Sequence, residues 1–531
     1  MAKQLPARLP TAEVVLYVFS WTGICLYASY QTYCVCKENE YIMNTDDFNQ
    51  GWKILGGRTK DISNYEWHFW STWFWHVLPW YCSHMLLGRL VDRFCCKYKE
   101  HFYLIHSLCA LVHVMGPLSV GYLVIHCVIM YCVSQLRRTA ACWSVSLVLL
   151  SALNISAFHD LQKAYMKFQS EEHFYQLLFT TAMMNLRYTS VSIEYSKRPQ
   201  PTSRLKDMLS FFAYCFYLPL FFTGPLLTYD LYEIQMKQTA RIWTKDKIFY
   251  IIREFMRVMF WATYLELILH FYHFNALIFD LYTVKSMGRW PLGGLGWSHG
   301  QFFHVKYVVM FGLPGTVAKV DGLDPPHQPK CISRIHLYSD MWKYFDRGLY
   351  SYLKRYIYIP VGGAPDRYLN KFLASAMCFL YIYYWHGMYD YLVVWCSLNF
   401  IGVSVEAIAN LICSSASGKR LKEYVSAAMW RRMKAAINAP LLAICIMSNF
   451  YFFMGNEVGQ VFFHKLVLYG TLPSYAVVLY SMYCLGQSSM ESERWEDAVC
   501  WWDSDKRHLL SSTSADMDGK HCPSKSESKR Q

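Results

Sequence analysis

Apolar runs separated by short polar joints fill most of the chain. They cover residues 14–36, a second run ending before Arg89, 101–133 with a break at Gly116-Pro117, 141–158, 174–192, 208–227, 256–279 and 304–313. After a polar stretch come 372–385, 389–413, 435–454 and 461–485. A helical span needs about 20 apolar residues, so the shorter runs predict re-entrant or interfacial segments. The pattern predicts an all-α polytopic membrane protein with about eight to eleven transmembrane helices plus re-entrant segments. Residues 1–487 read as one multi-span domain. Apolar runs stop at Ser488, and 511–531 is rich in Ser, Lys and Asp, so 488–531 is expected to be a cytosolic, largely disordered tail.

The joints differ in charge. Lys3 and Arg8 precede the first run, which is longer than a signal peptide's apolar core and has no small-residue cleavage site, so it reads as an uncleaved span. The joint at 37–67 mixes both signs, whereas Arg89, Arg93, Lys97 and Lys99 form a mainly basic cluster. By the positive-inside rule the amino terminus and the 89–99 joint face the cytosol, and 37–67 lies on the other side.

Composition agrees: 54% of residues are hydrophobic and 17% charged. The formal charge of +13 lies in short clusters beside apolar runs, which fits membrane flanks and argues against a nucleic-acid partner. Several of the 19 cysteines fall inside apolar runs, where a thiol acts as a small hydrophobe, so no disulfide framework is inferred.

Minor motifs carry little. Asn154-Ile-Ser156 is a glycosylation triplet inside an apolar run, His270 and His273 lack metal-ligand company, and 455–460 reads as a helix break. The chemistry concentrates in 341–391, where Asp346 and His386 sit among Tyr, Trp, Phe and Leu. Ionisable groups in such tracts are functional candidates. An imidazole kept neutral by apolar surroundings suits a general base; the alternatives are a hydrogen-bonded core histidine, and for Asp346 an ion pair with Lys343 or Arg347. The basic residues between Lys330 and Lys371 place this region at the cytosol, and a helix over 372–385 would rise about 21 Å, carrying His386 towards the opposite face.

Three segments carry a resemblance: Trp342-Lys-Tyr-Phe-Asp346, Tyr356-Ile-Tyr-Ile-Pro-Val-Gly-Gly363 and Tyr384-Trp-His386-Gly-Met-Tyr-Asp390. With Asp321-Gly-Leu-Asp-Pro-Pro326, Cys331 and Ser448-Asn449 they resemble the membrane-bound O-acyltransferase family, over about 10–487. The resemblance is greatest to the branch that palmitoylates hedgehog-type secreted proteins at an amino-terminal Cys. It implies a core around a through-membrane tunnel, with palmitoyl-CoA from the cytosolic side and a hedgehog-type acceptor from the lumen of the endoplasmic reticulum or Golgi, among membrane lipids. It further implies His386 and Asp346 as catalytic residues, and Trp342, Lys343, Arg347 and Asn449 at the substrates. Cys331 is implied as a ligand of haem iron. Phosphates of the donor would lie near Lys343, Arg347, Lys354 or Arg355; Lys343 stands where the branch has Arg, which loses bidentate geometry. His386 separates the chain from a paralogue without the histidine. Rival readings are a relative acylating a lipid or a serine hydroxyl, a transporter, and a non-catalytic regulator of lipidation.

Overall fold

The computed structural model describes residues 5–166, 168, 170–199, 203–237, 244–362 and 368–502. Lys3, Gly363, Asp366, Arg367 and the tail from 503 onward lie outside the described residues. The chain is helical: α1 (Thr11–Glu38), a hairpin of β1 (Phe48–Gln50) and β2 (Thr59–Asp61), then α2 (Tyr65–Phe94), α3 (Lys99–Met115), α4 (Pro117–Ser134), α5 (Thr139–Leu150) and α6 (Ser156–Met166). Next come α7 (Glu171–Lys197), α8 (Arg204–Cys215), α9 (Leu218–Phe221), α10 (Tyr229–Met236), α11 (Lys245–Ile268), α12 (Phe274–Leu277), α13 (Leu281–Ser286) and α14 (Arg289–Val320). The last third holds α15 (Tyr338–Phe345), α16 (Arg347–Leu353), α17 (Tyr368–Trp385), α18 (Asp390–Ser414), α19 (Ala416–Tyr424), α20 (Ala427–Phe463) and α21 (Leu472–Trp502).

Among the described residues, four helices are long and apolar enough to cross a membrane: α1, α4, α18 and α20 with its π-helical extension to Leu468. The segments 139–153 and 156–166, bent by 73°, would make a fifth if read as one span. The expected eight to eleven exceeds this number because other long helices carry polar residues and bury them inward. α7 buries Asn185, Arg187 and a run of Thr and Ser, and α14 buries Ser298, His299 and Lys306. Such helices face protein rather than lipid, where polar side chains find partners.

Other expected spans are broken as well. The 208–227 run ends its helix at Cys215, and its remainder turns through Pro219 and Gly224-Pro225 with Tyr217, Leu218 and Phe221 buried. The 461–485 run unwinds at Gly470 before α21 begins. Gly116, at φ 81°, and Pro117 do make the expected turn between α3 and α4, ending one helix and starting the next. The 455–460 motif is a break in α20, with Gly455 at φ 77°. His270 serves structure: its Nε2 accepts from the Trp52 amide at 3.0 Å, pinning the joint that carries the hairpin. The hairpin is held too by Asp61, buried, whose Oδ2 accepts from the amides of Asn275 and Ala276 at 3.1 Å.

The domain boundary expected at 487 falls inside α21. This helix continues to Trp502 and packs its polar face inward: Glu491 pairs with the buried Arg431 at 2.9 Å, Ser492 accepts from Arg334 Nε at 2.6 Å, and Glu496 pairs with Arg334. Apolar runs end at 488 because α21 is held there by ion pairs and hydrogen bonds.

α14 passes through the middle of the fold. It crosses α1 so closely at Gly294 that a β-carbon would lie 2.0 Å from the Ala28 carbonyl oxygen. At its far end Asp321 is fully buried, with Oδ2 2.7 Å from His84 Nε2 and also accepting from the Tyr217 hydroxyl. Arg89 lies 3.9 Å from the other oxygen, and Lys99 donates to the Asp321 carbonyl at 3.3 Å. This knot fixes the start of the loop that leads to Cys331 and α15.

Candidate active site

Asp346 ends α15 and caps α16. Its Oδ1 accepts from the Leu349 amide at 2.9 Å, satisfying one of the free donors of a helix start. α15 is itself held at its first turn by Glu406 of α18, which accepts from the Ser339 amide at 3.1 Å and from the Ser339 hydroxyl. Tyr338 lies buried against α18 and bonds to the Leu398 carbonyl at 3.3 Å. Three polar contacts therefore aim a short amphipathic helix that would not be stable alone.

His386 follows α17 at a reversal. Gly387 has φ 100° and Met388 φ 58°, and the Met388 amide bonds back to the Tyr383 carbonyl at 3.2 Å. A β-carbon at 387 would meet the Tyr389 ring at 2.8 Å, so glycine is needed here on two counts. The imidazole is packed edge-on by Trp385, Trp395 and Phe452, with centroids 4.7, 5.8 and 5.5 Å away.

Asp346 and His386 line one apolar cavity together with Trp342 and Asn449. Trp342 donates its indole N–H to Asn399 Oδ1 at 3.0 Å and lies 5.4 Å from the Trp395 ring. Asn449 Oδ1 accepts from the Trp395 indole at 3.2 Å, and Asn399 in turn donates to Ser448 at 3.1 Å. The two asparagines thus fix the two tryptophan rings that wall the cavity.

Lys343 and Arg347 stand outside the lining. Their cationic heads lie 5.0 and 5.2 Å from the Tyr344 ring, and Arg347 Nε is buried without a hydrogen-bond partner. Arg355, grouped with them as a candidate phosphate contact, is instead committed to Glu194 at 2.9 Å and Asp230 at 2.8 Å. Those acids lie far back in the sequence, so the pairing has no local signal. Cys331 is a half-buried free thiol on the loop before α15; its neighbour Ile332 reaches the cavity.

The sequence missed a second layer. Tyr307 of α14 lines the same cavity and donates to Glu66 Oε1 at 2.8 Å; Lys306, buried, donates to Glu66 Oε2 at 2.5 Å and to Asn64 Oδ1 at 3.4 Å. A lysine inside an apolar run was the available signal for this group.

An apolar chamber with one carboxylate, one imidazole and a cationic margin suits transfer of a long apolar group. Residues 128–453 match the model of the MBOAT, membrane-bound O-acyltransferase, family. The chain belongs to the membrane-bound O-acyltransferase family. It is 31% identical over 485 residues to the mouse protein-cysteine N-palmitoyltransferase HHAT, covering 90% of this chain and 97% of that one. The mouse HHAT-like protein is 27% identical over 92% of this chain and 96% of its own, and Drosophila melanogaster Rasp, a protein-cysteine N-palmitoyltransferase, 29% over 59% and 62%. The matched family region spans α4 to α20, and so includes every residue of the cavity wall named above except Glu66's supporting layer on α2.

Proposed function

We propose that this acyltransferase moves palmitate from palmitoyl-CoA to the amino-terminal cysteine of a hedgehog-type secreted protein, in the membrane of the endoplasmic reticulum or Golgi. The observation that carries the reading is the shared cavity: His386 and Asp346 face one apolar chamber. The near full-length likeness to mouse HHAT supports the substrate class.

The acyl chain lies against apolar walls that include Trp342, while Lys343 and Arg347 meet the CoA phosphates; the unpartnered Nε of Arg347 suits that contact. The acceptor's α-amine, with a pKa near 8, attacks the thioester carbonyl carbon. The N–C bond forms and the C–S bond breaks. His386 takes the N–H proton from the attacking nitrogen and passes it to the departing thiolate, leaving an amide and CoA thiol. Asp346 orients the reacting groups beside it. Asn449 acts through Trp395, which packs on the imidazole.

A haem bound through Cys331 belongs to the same proposal. A single thiolate suffices for haem iron, and the half-buried free thiol of Cys331 could supply it, although the neighbouring cations Lys330 and Arg334 are both paired with Glu496. Haem there would brace the loop entering α15 and take no part in the transfer. Cys331→Ala is expected to abolish the Soret absorbance of the purified protein.

The reading is tested by incubating purified protein with palmitoyl-CoA and peptides whose amino-terminal Cys is free or blocked. Amide-linked palmitate on the free peptide alone is expected. Equal labelling of a lipid or a serine peptide would overturn it.

A further inference from the structure

Acylation consumes a neutral amine, yet an α-amine with a pKa near 8 is mostly protonated at neutral pH. A site built for it needs somewhere to receive an ammonium and release one proton. Trp342, Trp395 and Phe452 offer no such group. Asp346 has one oxygen committed to the Leu349 amide.

Glu66 has the required features. It opens α2, at the end of the 37–67 joint, whose mixed charge reads as opposite the cytosol. Its side chain is 35% exposed, while its partner Lys306 is 4% exposed. Tyr307 joins it to the chamber: the hydroxyl donates to Glu66 Oε1, and the ring belongs to the cavity wall. Asp346 and His386 line that same cavity. Glu66 thus reaches the chamber through Tyr307 and is not itself part of its lining.

We propose that the Glu66 carboxylate, held by Lys306 and Tyr307, is the dock for the acceptor's amino-terminal ammonium. This deepens the N-palmitoyltransferase reading and rests on it. Lys306 neutralises the carboxylate while the dock is empty, and the arriving ammonium competes for the same oxygens. The ammonium's extra proton leaves to water through the half-exposed carboxylate, and the free amine turns to the thioester. Glu66 is therefore a positioning residue, and Tyr307 sets its orientation.

The test uses two peptides of the same sequence: one with an amino-terminal Cys, the other with that amine replaced by hydrogen. Their affinities are measured by competition binding to the purified full chain without palmitoyl-CoA. The wild type is expected to prefer the amine about tenfold, equivalent to about 1.4 kcal/mol. Glu66→Gln, which keeps an acceptor for Tyr307, should abolish that preference and leave the affinity of the amine-free peptide unchanged. Lys306→Met frees the carboxylate and should increase the preference. A merely structural role would weaken both peptides equally, and that result, or an unchanged preference in both variants, would overturn the dock. If Glu66→Gln fails to fold, an unchanged preference in Lys306→Met decides against it. Absence of palmitate transfer by the wild type would instead overturn the transferase reading, independently of the binding ratio.

Discussion

Asp321 meets His84 directly, Oδ2 to Nε2 at 2.7 Å, and both side chains are sealed from solvent. Asp346 and His386 share a cavity wall, where the carboxylate caps a helix and the imidazole is walled by aromatic rings. The same two residue types are thus used in opposite ways. In the first region the acid and the base close on each other out of reach of solvent, with Tyr217 adding a further hydrogen bond and only the outer atoms, His84 Nδ1 and Asp321 Oδ1, left without one, and the result is an anchor. In the second they face a space large enough for other atoms and keep capacity for them. The difference is access: a pair sealed on both sides has no route to a substrate, whereas Asp346 and His386 open onto a cavity.

Breaking each region should therefore give different losses. His386→Ala is expected to lower palmitate transfer about 10³-fold, in the range of general-base removal, with the melting temperature of the detergent-purified protein unchanged. Asp321→Asn should do the reverse. Leaving His84 and Tyr217 without their anion is expected to destabilise the fold by about 3 kcal/mol, seen as a fall in melting temperature, while activity per folded molecule stays near wild type. Asp346→Asn retains the helix cap and removes the charge, so transfer should fall about 10²-fold with little change in stability. Asp346→Ala would add about 1 kcal/mol of lost capping.

A third buried carboxylate sharpens the contrast. Burial raises Asp61 to about 6, against the hydrogen bonds it accepts from Ser63, Ala276 and Asn275. A folded-state value above the usual carboxylate range means that the stabilising contribution is fully present below about pH 4 and is lost as pH rises through about 6. Wild type should therefore gain on Asp61→Asn by about 1 to 2 kcal/mol when the pH is lowered from about 7 to about 4.5. Melting curves of the two proteins at both pH values measure this; a constant difference would show that Asp61 titrates normally.

What could be read from the chain follows from which signals are local. Asp346 and His386 stood out as ionisable residues in aromatic tracts, and Gly116-Pro117 marked its turn because glycine and proline act on the backbone where they stand. The run at 208–227 misled because hydropathy measures apolarity and not environment: Phe221 is buried in protein and needs no lipid. α14 was legible only as a fragment at 304–313, since its inward Ser298 and His299 interrupt the apolar pattern ahead of it. The commitment of Arg355 to Glu194 and the bond from Lys306 to Glu66 each join positions more than 150 residues apart, 161 and 240 respectively. No spacing rule reaches that far.

The first and last helices close the molecule together. Tyr17 of α1 packs against Tyr483 of α21 at 5.3 Å, and α21 also holds the loop before α15 through Ser489, 2.9 Å from His336, and Ser492. During synthesis Asp346, His386 and Asn449 are made well before this clamp, whose helix also supplies Leu485 to the cavity wall. α15 is therefore braced only once the chain has been made as far as Ser492, more than 100 residues after His386. A chain cut between α20 and α21 would carry Asp346, His386 and Asn449 and lack the helix that braces the loop before α15.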